Sequence, residues 1–475
     1  MSALDPSRET RPQFVALLEA QRRFFAAGHT RSLKFRDRQL EFLENLVLSN
    51  ERKISEALRD DLGKPEQESF VTEIAMVLSE IRHARKNLKK WMAARRVSTS
   101  LVLFPATSRI YREPVGVALV IAPWNYPFML ALSPLIGAIA AGCCAILKPS
   151  EVSSKTSKLL HELLTSAFPP DFVTVVEGGV PETTALLNLR FDHIFFTGST
   201  AVGRIVALAA ANHLTPTTLE LGGKSPAIVC ADADLEVAAR RIVWGRFMNG
   251  GQTCVAPDYL YVNETIAEKF LSRMRHHLQE FYGKNPALSC DYARIVSHSH
   301  FDRLERILEK SAAKSEVDIG GAHDRSSKYI APTILKNVDW TSPSMQDEIF
   351  GPILPVMTYS RIDDVFTKLA TTEKPLAAYI FTENKFVQDK FIELVPFGGG
   401  CINDTVSHLG SANLPFGGVG GSGYGSYHGE KSFLAFTHEK SVLKKSRRLD
   451  LSVRYPPYKP WKMKFLRLLF LGRWG

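Results

Sequence analysis

The chain has 475 residues, of which 45% are hydrophobic and 23% are charged. At roughly 150 residues per domain this length predicts two to four packed units, and the composition excludes a disordered or collagen-like chain. The net charge is +10, yet positions 444–475 hold ten Lys and Arg residues against the single acid Asp450. The rest of the chain is nearly neutral, which argues against a nucleic-acid-binding protein and leaves the tail as the candidate site for anionic partners.

The six cysteines are scattered along the chain and form no C-x-x-C pair. Acidic residues and Pro6 stand near the N-terminus, where a signal peptide would carry its apolar stretch. Low cysteine usage is typical of reduced intracellular proteins. We therefore expect a cytoplasmic protein.

The first hundred residues divide into a helical part and a hairpin. From Pro12 to Val97, Leu, Ala, Arg, Lys and Glu dominate, and apolar residues recur at helical spacing. In residues 98–113 two short apolar runs, which include Leu101 and Val102, flank the segment Pro105–Ser108. This pattern predicts a hairpin that protrudes from a helical region.

Residues 115–212 alternate between short apolar runs and helical stretches. Such alternation is typical of a parallel sheet buried on both faces, and it predicts a Rossmann-like, doubly wound α/β domain that binds ligands at the carboxyl ends of its strands. The predicted strands are Val115–Ala122, Ala145–Lys148, Phe172–Glu177 and His193–Phe196, and the predicted helices are Ala131–Ala141, Ser153–Phe168, Thr183–Leu189 and Thr200–Asn212.

A second α/β region follows at residues 219–415. It includes a predicted helix at Asp234–Trp244 and a predicted strand at Tyr259–Val262. The glycine-rich turn Phe416–Gly423 ends this region and begins a C-terminal arm.

Cys254 ends the sequence Asn-Gly-Gly-Gln-Thr-Cys. The two glycines allow the backbone to approach a ligand closely, so that the thiol can stand at a pocket rim as a nucleophile. Most free cysteines are small buried hydrophobes, and the local sequence leaves that alternative open.

Glu220 stands between two leucines, just before a Gly-Gly turn. A carboxyl group buried at the end of a strand has its charged form disfavoured, which suits a general base that works near neutral pH. The alternative is a glutamate that faces water from an edge strand.

Asn125 lies in the sequence Pro-Trp-Asn-Tyr-Pro, which follows the strand Val115–Ala122. A neutral amide can stabilise a developing oxyanion without titrating. A proline-bracketed turn that contains Asn can also be simply a turn, and this alternative stays open.

Two further segments stand where a doubly wound sheet binds a ligand. Gly198–Gly203 follows a strand and opens a helix whose N-terminus favours phosphate, but it lacks the middle glycine of the G-x-G-x-x-G fingerprint. Lys148 and Glu151, at another strand end, can contact the hydroxyls of a ribose or can belong to a solvated loop.

Together and in this order, the motifs resemble those of the aldehyde dehydrogenase superfamily over residues 12–445. Within it the chain is most similar to the class 3 branch, whose members oxidise fatty or aromatic aldehydes and are generally dimers. The segments that match the superfamily motifs are Pro123–Pro127, Leu147–Glu151, Phe196–Thr200, Leu219–Pro226, Gly251–Cys254, Glu348–Pro352 and Pro415–Gly418.

The resemblance implies NAD as the cofactor, with NADP as an alternative, and a small aldehyde as the substrate. It makes Cys254 the nucleophile, Asn125 the oxyanion donor and Glu220 the base that activates the hydrolytic water. Intact catalytic residues argue against the alternative of a membrane- or partner-binding protein with a vestigial site. The implied cofactor contacts are Trp124, Lys148, Glu151, Gly198, Ser199, Thr200, Ala201, Val202, Gly203, Leu221, Glu348 and Phe350.

The implied domains are an NAD(P)-binding domain at residues 1–97 and 114–218, a catalytic domain at 219–415, and bridging elements at 98–113 and 416–445. Residues 446–475 form a basic tail in which apolar and basic residues interleave from Trp461 to Gly475. The tail is too short and too charged to span a bilayer. It suits a membrane surface, while the alternative is a helix that covers the substrate entrance or packs on the second subunit of a homodimer.

Overall fold

The computed structural model describes residues 11–100, 103–448 and 450–472. Leu101 and Val102 of the predicted hairpin lie outside the described residues, as do Arg473, Trp474 and Gly475 of the tail.

The N-terminal part is helical, as predicted. On the second helix the apolar residues Leu40, Leu43 and Val47 share one face and are buried, because they are spaced three or four positions apart. A π-helical turn, Phe70–Ile74, joins the last two helices. The helices are α1 Pro12–Ala26, α2 Leu33–Ser49, α3 Glu51–Leu62, α4 Glu66–Ser69 and α5 Ala75–Met92.

The predicted hairpin is present, although its boundaries differ from the prediction. Its strands are β1 Arg95–Val97 and β2 Ala106–Pro114, which pair antiparallel with Arg95 opposite Ile110. The first strand therefore precedes residue 98, because it continues almost directly from α5.

The alternating region forms a parallel sheet in the order β7-β6-β3-β4-β5, with helices between successive strands. Every residue of β3, β4 and β6 is buried, which explains their continuous apolar sequences. The doubly wound prediction is confirmed. The elements are β3 Val117–Ile121, α6 Met129–Ala141, β4 Cys144–Lys148, α7 Ser154–Ala167, β5 Val173–Val175, α8 Val180–Leu187, β6 His193–Thr197, α9 Thr200–Ala211 and β7 Thr217–Glu220.

The second region forms a seven-stranded sheet, β10-β13-β14-β9-β8-β15-β16, which is parallel except for the β10–β13 pair. The Asp234 side chain accepts hydrogen bonds from two backbone N–H groups, so this residue caps α10 and the helix begins at Leu235. The elements are β8 Pro226–Val229, α10 Leu235–Phe247, β9 Tyr259–Asn263, α11 Ala267–Tyr282, α12 His298–Ala312, β10 Glu316–Ile319, β11 His323–Asp324, β12 Tyr329–Ile330, β13 Thr333–Lys336, β14 Ile353–Tyr359, α13 Ile362–Ala370, β15 Ala377–Phe381, α14 Lys385–Leu394 and β16 Gly399–Ile402.

The C-terminal arm returns to the doubly wound sheet and to the hairpin. Strand β17, Gly423–Tyr424, pairs antiparallel with β7, and strand β18, Thr437–Lys445, pairs with β2 along its whole length. Helix α15, Glu430–Ala435, lies between these strands, and helix α16, Pro460–Leu471, lies in the tail. None of the helices in residues 11–100, 103–448 and 450–472 has both the length and the apolar character required to cross a membrane.

Candidate active site between the two sheets

The loop that carries Cys254 begins where α10 ends. A short 3₁₀ turn, Met248–Gly251, reverses the chain, with Asn249 and Gly250 at positive φ angles of 54° and 61°. A Cβ on Gly251 would stand 2.5 Å from the carbonyl oxygen of Gly351, so only glycine fits there. The turn leaves Cys254 partly exposed, as a thiol at a pocket rim requires.

Asn125 lies in the turn after β3, and the structure brings it to the loop of the other sheet. Its Nδ2 donates to the carbonyl oxygen of Gln252 at 3.1 Å, and the neighbouring Tyr126 hydroxyl lies 2.6 Å from Thr253 Oγ1. A side-chain amide has two N–H donors. One of them fixes the orientation of Asn125, and the other has no acceptor among the residues that the structure describes.

Glu220 is the last residue of β7 and is 1% exposed. Within the described part of the chain, neither of its carboxyl oxygens has a hydrogen-bond partner. Burial raises the pKa of Glu220 well above its usual range. The alternative of a water-facing edge strand is wrong, because β17 pairs with β7 and places Gly423 opposite Glu220.

Cys254 lies within electrostatic reach of two carboxyl groups. Burial, followed by the nearby Glu348 and Glu220 carboxylates, raises the pKa of Cys254 to about 12. The thiol is therefore neutral in this arrangement, and it becomes a nucleophile only when a neighbouring base takes its proton.

Lys148 and Glu151 lie at the carboxyl end of β4. Lys148 Nζ donates to the carbonyl oxygen of Pro149 at 2.7 Å and lies 3.6 Å from the Glu151 carboxylate. The Lys148 side chain is 2% exposed, whereas that of Glu151 is 48% exposed. The solvated-loop alternative is therefore wrong for Lys148, which is held inside the strand end, and it describes only Glu151.

The segment Gly198–Gly203 forms the N-terminus of α9. Ser199 caps the helix, because its hydroxyl accepts from Val202 N and its carbonyl accepts from Gly203 N. The N–H groups of Thr200 and Ala201 precede these bonds, at the end where a helix leaves its donors without intrahelical acceptors. Ser199, Ala201 and Val202 are exposed, so an anion can reach this end.

Glu348 and Phe350 approach the same crevice from the second sheet. Burial, with the nearby Asp258 carboxylate, raises the pKa of Glu348 to about 8. The Phe350 ring packs edge-on against Trp124, with 5.3 Å between ring centroids. On the other side Trp124 lies 4.5 Å from the His300 ring.

These features fit a dinucleotide. The crevice has an exposed helix N-terminus for phosphates, and Gly203 permits close packing, since a Cβ there would lie 2.6 Å from Leu221. Gly222 gives room to Glu348, whose carboxyl group would collide with a Cβ at that position. The strand ends, Glu348 and the thiol therefore border one crevice, where a cofactor and a substrate can meet.

Several residues that frame the site have no distinctive sequence signal. Asp258 is buried and contacts Lys224 at 2.5 Å, Arg246 at 3.3 Å and the backbone N–H of Ile349 at 3.1 Å. It thereby ties the loop after Cys254 to the segment that holds Glu348. A charged residue in a sequence is usually solvated, so only the buried partners reveal this role.

The aromatic residues near the motifs divide into two groups. Tyr126, Phe128 and Phe247 are buried in the core, whereas Trp244 on α10 is 40% exposed. Of these four aromatic residues, Trp244 is the one that offers a substantial apolar surface to another molecule.

Comparison with known proteins gives a consistent result. The model of the aldehyde dehydrogenase family matches residues 5–442. Aldehyde dehydrogenase family 3 member H1 of Arabidopsis thaliana is 48% identical over 95% of this chain and 94% of that protein. The dimeric NADP-preferring aldehyde dehydrogenase of Rattus norvegicus is 48% identical over 93% of this chain and 97% of that protein.

Two bacterial proteins extend the comparison. The 4,4'-diaponeurosporen-aldehyde dehydrogenase of Staphylococcus aureus is 47% identical over 94% of this chain and 97% of that protein. A substrate-bound structure of Staphylococcus aureus AldH superposes with a TM-score of 0.94 at 45% identity, covering 96% of this chain and 99% of that one. Together with the thiol, the amide and the buried carboxyl group, these matches show that the chain belongs to the aldehyde dehydrogenase family and oxidises aldehydes with NAD(P).

Proposed function

We propose that this chain oxidises hydrophobic aldehydes to carboxylic acids, with Cys254 as the nucleophile. The observation that carries the proposal is the convergence of Cys254, the Asn125 amide and the unpartnered Glu220 carboxyl group where the two sheets meet. Exposed Trp244 supports an apolar substrate. A further support is the relative named for 4,4'-diaponeurosporen-aldehyde.

The first chemical step is attack by sulfur on the aldehyde carbon. We propose that Glu220, as a carboxylate, takes the thiol proton, since it is one of the two carboxyl groups whose charge acts on Cys254, the other being Glu348. A C–S bond forms and the carbonyl oxygen becomes an oxyanion. The Asn125 amide, together with the backbone N–H of Cys254, stabilises that charge.

NAD(P), when bound, supplies the two-electron acceptor for the hydride that the thiohemiacetal loses. Lys148 and Glu151 are proposed to hold the adenosine ribose, and Trp124 with Ser199 the pyrophosphate. The N-terminal residues of α9 and Leu221 would contact the same cofactor, and Glu348 and Phe350 would contact its nicotinamide part. This division of roles supports a cofactor domain at residues 1–97 and 114–218 and a catalytic domain at 219–415.

Hydride loss turns the oxyanion into a thioester on Cys254, the thiol proton passes from Glu220 to solvent, and the Glu220 carboxylate then acts on water. A buried carboxylate with a raised pKa readily accepts a proton, so it activates a water molecule for attack on the thioester carbon. The C–S bond breaks, the Cys254 thiolate returns, and the product leaves as the carboxylic acid.

A panel of aldehydes of graded chain length, assayed by NADH absorbance, tests the proposed function. We expect kcat/KM to rise with chain length, and mass spectrometry of protein trapped during turnover to find an acyl group on the peptide that contains Cys254. No NADH with any aldehyde would instead favour a vestigial site. An adduct on another cysteine would remove Cys254 from the mechanism.

Use of both NAD and NADP is proposed as well. The Glu151 side chain is 48% exposed, so it can turn away from a 2′-phosphate. The buried Lys148 ammonium lies 3.6 Å from the Glu151 carboxylate. Parallel assays with both cofactors should give kcat/KM values within about a factor of 100 of each other. A larger preference for NAD would show that Glu151 stays in place and repels the phosphate.

A homodimer is proposed from an exposed sheet edge. In β18 the residues between Thr437 and Lys445 are exposed, and the strand pairs only through its β2 side in the described sheet. Such an edge invites pairing with another chain. The relative named as dimeric is in keeping with this arrangement. Light scattering should give twice the chain mass of 52.9 kDa, and a Val442→Pro variant should shift toward the monomer.

The tail is proposed to bring the otherwise cytoplasmic protein to a membrane surface. On α16 the apolar side chains of Trp461, Met463, Phe470 and Leu471 are more than half exposed, while Lys462 is buried and donates to the Tyr455 carbonyl oxygen. A helix that exposes apolar side chains beside Lys464 and Arg467 is suited to an anionic interface.

Vesicle sedimentation distinguishes this proposal from its alternative. The full chain should pellet with vesicles that contain anionic lipid and less with neutral vesicles, whereas a variant that ends at Tyr458 should stay in solution. Equal pelleting of both chains would favour a helix that covers the substrate entrance or packs on the second subunit.

A further inference from the structure

Three charged side chains of the N-terminal helical layer face the catalytic loops, two of them buried and the third, Glu68, half-buried. Lys64 Nζ and Glu73 Oε1 are 2.6 Å apart, and both side chains are fully buried. Glu68, between them in sequence, is directed at the loop before Cys254. Burial of charged groups is costly unless they are paired, so these residues need a structural or functional reason.

Glu73 and Lys64 hold one side of the Asn125 turn. The second oxygen of Glu73, Oε2, accepts hydrogen bonds from the backbone N–H groups of Phe128 and Met129, each at 3.0 Å. These groups begin α6, immediately after the turn. The Lys64 ammonium lies 4.0 Å from the centroid of the Tyr126 ring. The π-helical turn Phe70–Ile74 presents Glu73 for this contact.

Glu68 holds the other side through Asn249. Its Oε1 accepts from the backbone N–H of Asn249 at 2.9 Å. Asn249 Nδ2 in turn donates to the carbonyl oxygen of Asn125 at 2.8 Å and to that of Gln252 at 3.3 Å. Asn249 has a φ of 54°, which is uncommon for a residue other than glycine and needs support from its surroundings.

We infer that Glu68 is a positioning residue for the oxyanion site, acting through Asn249 to fix the Asn125 amide against the loop that carries Cys254. Lys64 and Glu73 hold the same turn through their contacts with Tyr126 and with the start of α6. The inference rests on the proposed roles of Asn125 and Cys254. It assigns the effect to the hydrogen bond that Glu68 accepts and not to its negative charge.

The environment of Glu68 agrees with this distinction. Burial raises its pKa to about 7, against the opposing effect of Lys64, so neutral and charged forms are both populated near neutral pH. Oε1 can accept the Asn249 N–H in either form. A glutamine, which is similar in shape and carries a carbonyl oxygen, should therefore replace Glu68.

Three substitutions distinguish the effect of the length of the Glu68 side chain from the effect of its charge. Glu68→Gln keeps the acceptor and removes the charge, Glu68→Asp keeps the charge and shortens the side chain by about 1.5 Å, and Glu68→Ala removes both. Glu44→Gln is the matched control. Glu44 is a hydrogen-bond acceptor of the same helical layer, but its donors are Arg82 and Arg85 and not a catalytic loop.

An aliphatic trifluoromethyl ketone is the probe, used without cofactor. The Cys254 sulfur adds to the ketone carbon, so that a C–S bond forms and the C=O π bond breaks. The carbonyl oxygen becomes an anion in the oxyanion site, and the thiol proton passes to the Glu220 carboxylate. The dissociation constant of this adduct therefore reports the alignment of Asn125 and Cys254 without hydride transfer. The pre-steady-state burst of NADH and the dissociation constant of NADH are measured alongside it.

We expect Glu68→Asp and Glu68→Ala to weaken ketone binding and to slow the burst by about tenfold, with NADH binding unchanged within about twofold. Glu68→Gln and Glu44→Gln should resemble the unsubstituted protein. Ketone affinity within twofold for the Asp and Ala variants would overturn the inference. So would a Gln variant as weak as Ala, or an equal loss of NADH binding, which would indicate general disruption.

Asn125→Ala separates the inference from the proposed function on which it rests. If Asn125→Ala weakens ketone binding while the Glu68 variants do not, only the inference fails. If Asn125→Ala leaves ketone binding unchanged, the proposed oxyanion site itself is wrong.

Discussion

Two groups of buried carboxyl groups in this molecule have opposite surroundings. In the frame around the site, defined here as Lys64, Glu73, Lys224, Arg246 and Asp258, each acid has a cation and at least one backbone N–H. In the reaction centre, Glu220 is also buried, but its carboxyl oxygens have no hydrogen-bond partner among the residues that the structure describes.

The difference teaches how one fold can be rigid and reactive at once. A carboxylate whose oxygens are all satisfied is stabilised in its charged form and holds the loops that surround it. A carboxyl group without partners has a raised pKa and gains by accepting a proton. Carboxyl groups therefore position the chain in the frame, and we propose that the one in the reaction centre performs proton transfer.

Cys254→Ala is the most severe way to test the reaction centre. Since the proposed mechanism passes every turnover through this sulfur, we expect steady-state activity to fall by more than about 10³-fold. NADH binding, measured by fluorescence, should persist because the frame is untouched. Cys401→Ala, another partly buried thiol, is the control, and a similar loss there would contradict the assignment.

Glu220→Gln should slow turnover by about 10²- to 10³-fold while the initial burst of NADH remains detectable. The glutamine cannot take a proton from water, so acyl-enzyme should accumulate and be visible by mass spectrometry. An unchanged steady-state rate would show that another group activates the water.

Asp258→Asn tests the frame. Removal of one partner of a buried ion pair leaves Arg246 and Lys224 with uncompensated charge, so we expect a loss of about 3 kcal/mol in the free energy of unfolding. The matched control is Asp302→Asn, because the Asp302–Arg325 pair is exposed to solvent and its loss should change the free energy of unfolding much less. Equal losses in urea denaturation would mean that burial does not distinguish the two pairs.

The pH dependence sharpens the same comparison. In the proposed mechanism Glu220 and Cys254 act in their deprotonated forms, and both have raised pKa values. We therefore expect kcat to rise with pH, by about tenfold per unit while one ionisation limits the rate. Stability should change in the opposite direction. The folded chain keeps protons on Glu220 and Glu348 that the unfolded chain releases, so the unfolding free energy should fall between pH 4.5 and about 8.

The Glu220→Gln variant provides the control for that trend. Since glutamine does not ionise, its melting temperature should fall less with rising pH than that of the unsubstituted protein. Parallel curves for the two proteins would show that Glu220 does not titrate in this range.

Local sequence predicted the elements that carry the site. The continuous apolar runs of β3, β4 and β6 identified a parallel sheet, and the sheet rule for ligands pointed to the turns that hold Asn125 and Lys148. The boundary errors were small and had local causes, such as the capping of α10 by Asp234.

The alternatives for Glu220 and Lys148 were not decidable from the sequence. Whether an acid at a strand end faces water depends on the next strand, and β17 comes from about 200 residues further along the chain. The burial of Lys148 likewise depends on packing around β4. Neither the pairing of β17 with β7 nor the packing around β4 can be predicted from the residues next to Glu220 or Lys148 in the sequence.

The amino-acid sequence by itself determined the chemistry at hand, namely a thiol after a glycine pair, an amide after one strand and a carboxyl group after another. Only the tertiary structure decided which charged side chains are buried and with whom they pair, as for Glu68 and Asn249, which are 181 positions apart. The physical reason is that periodicity reports the local direction of a side chain, whereas desolvation and pairing depend on segments that meet only when the whole chain has folded.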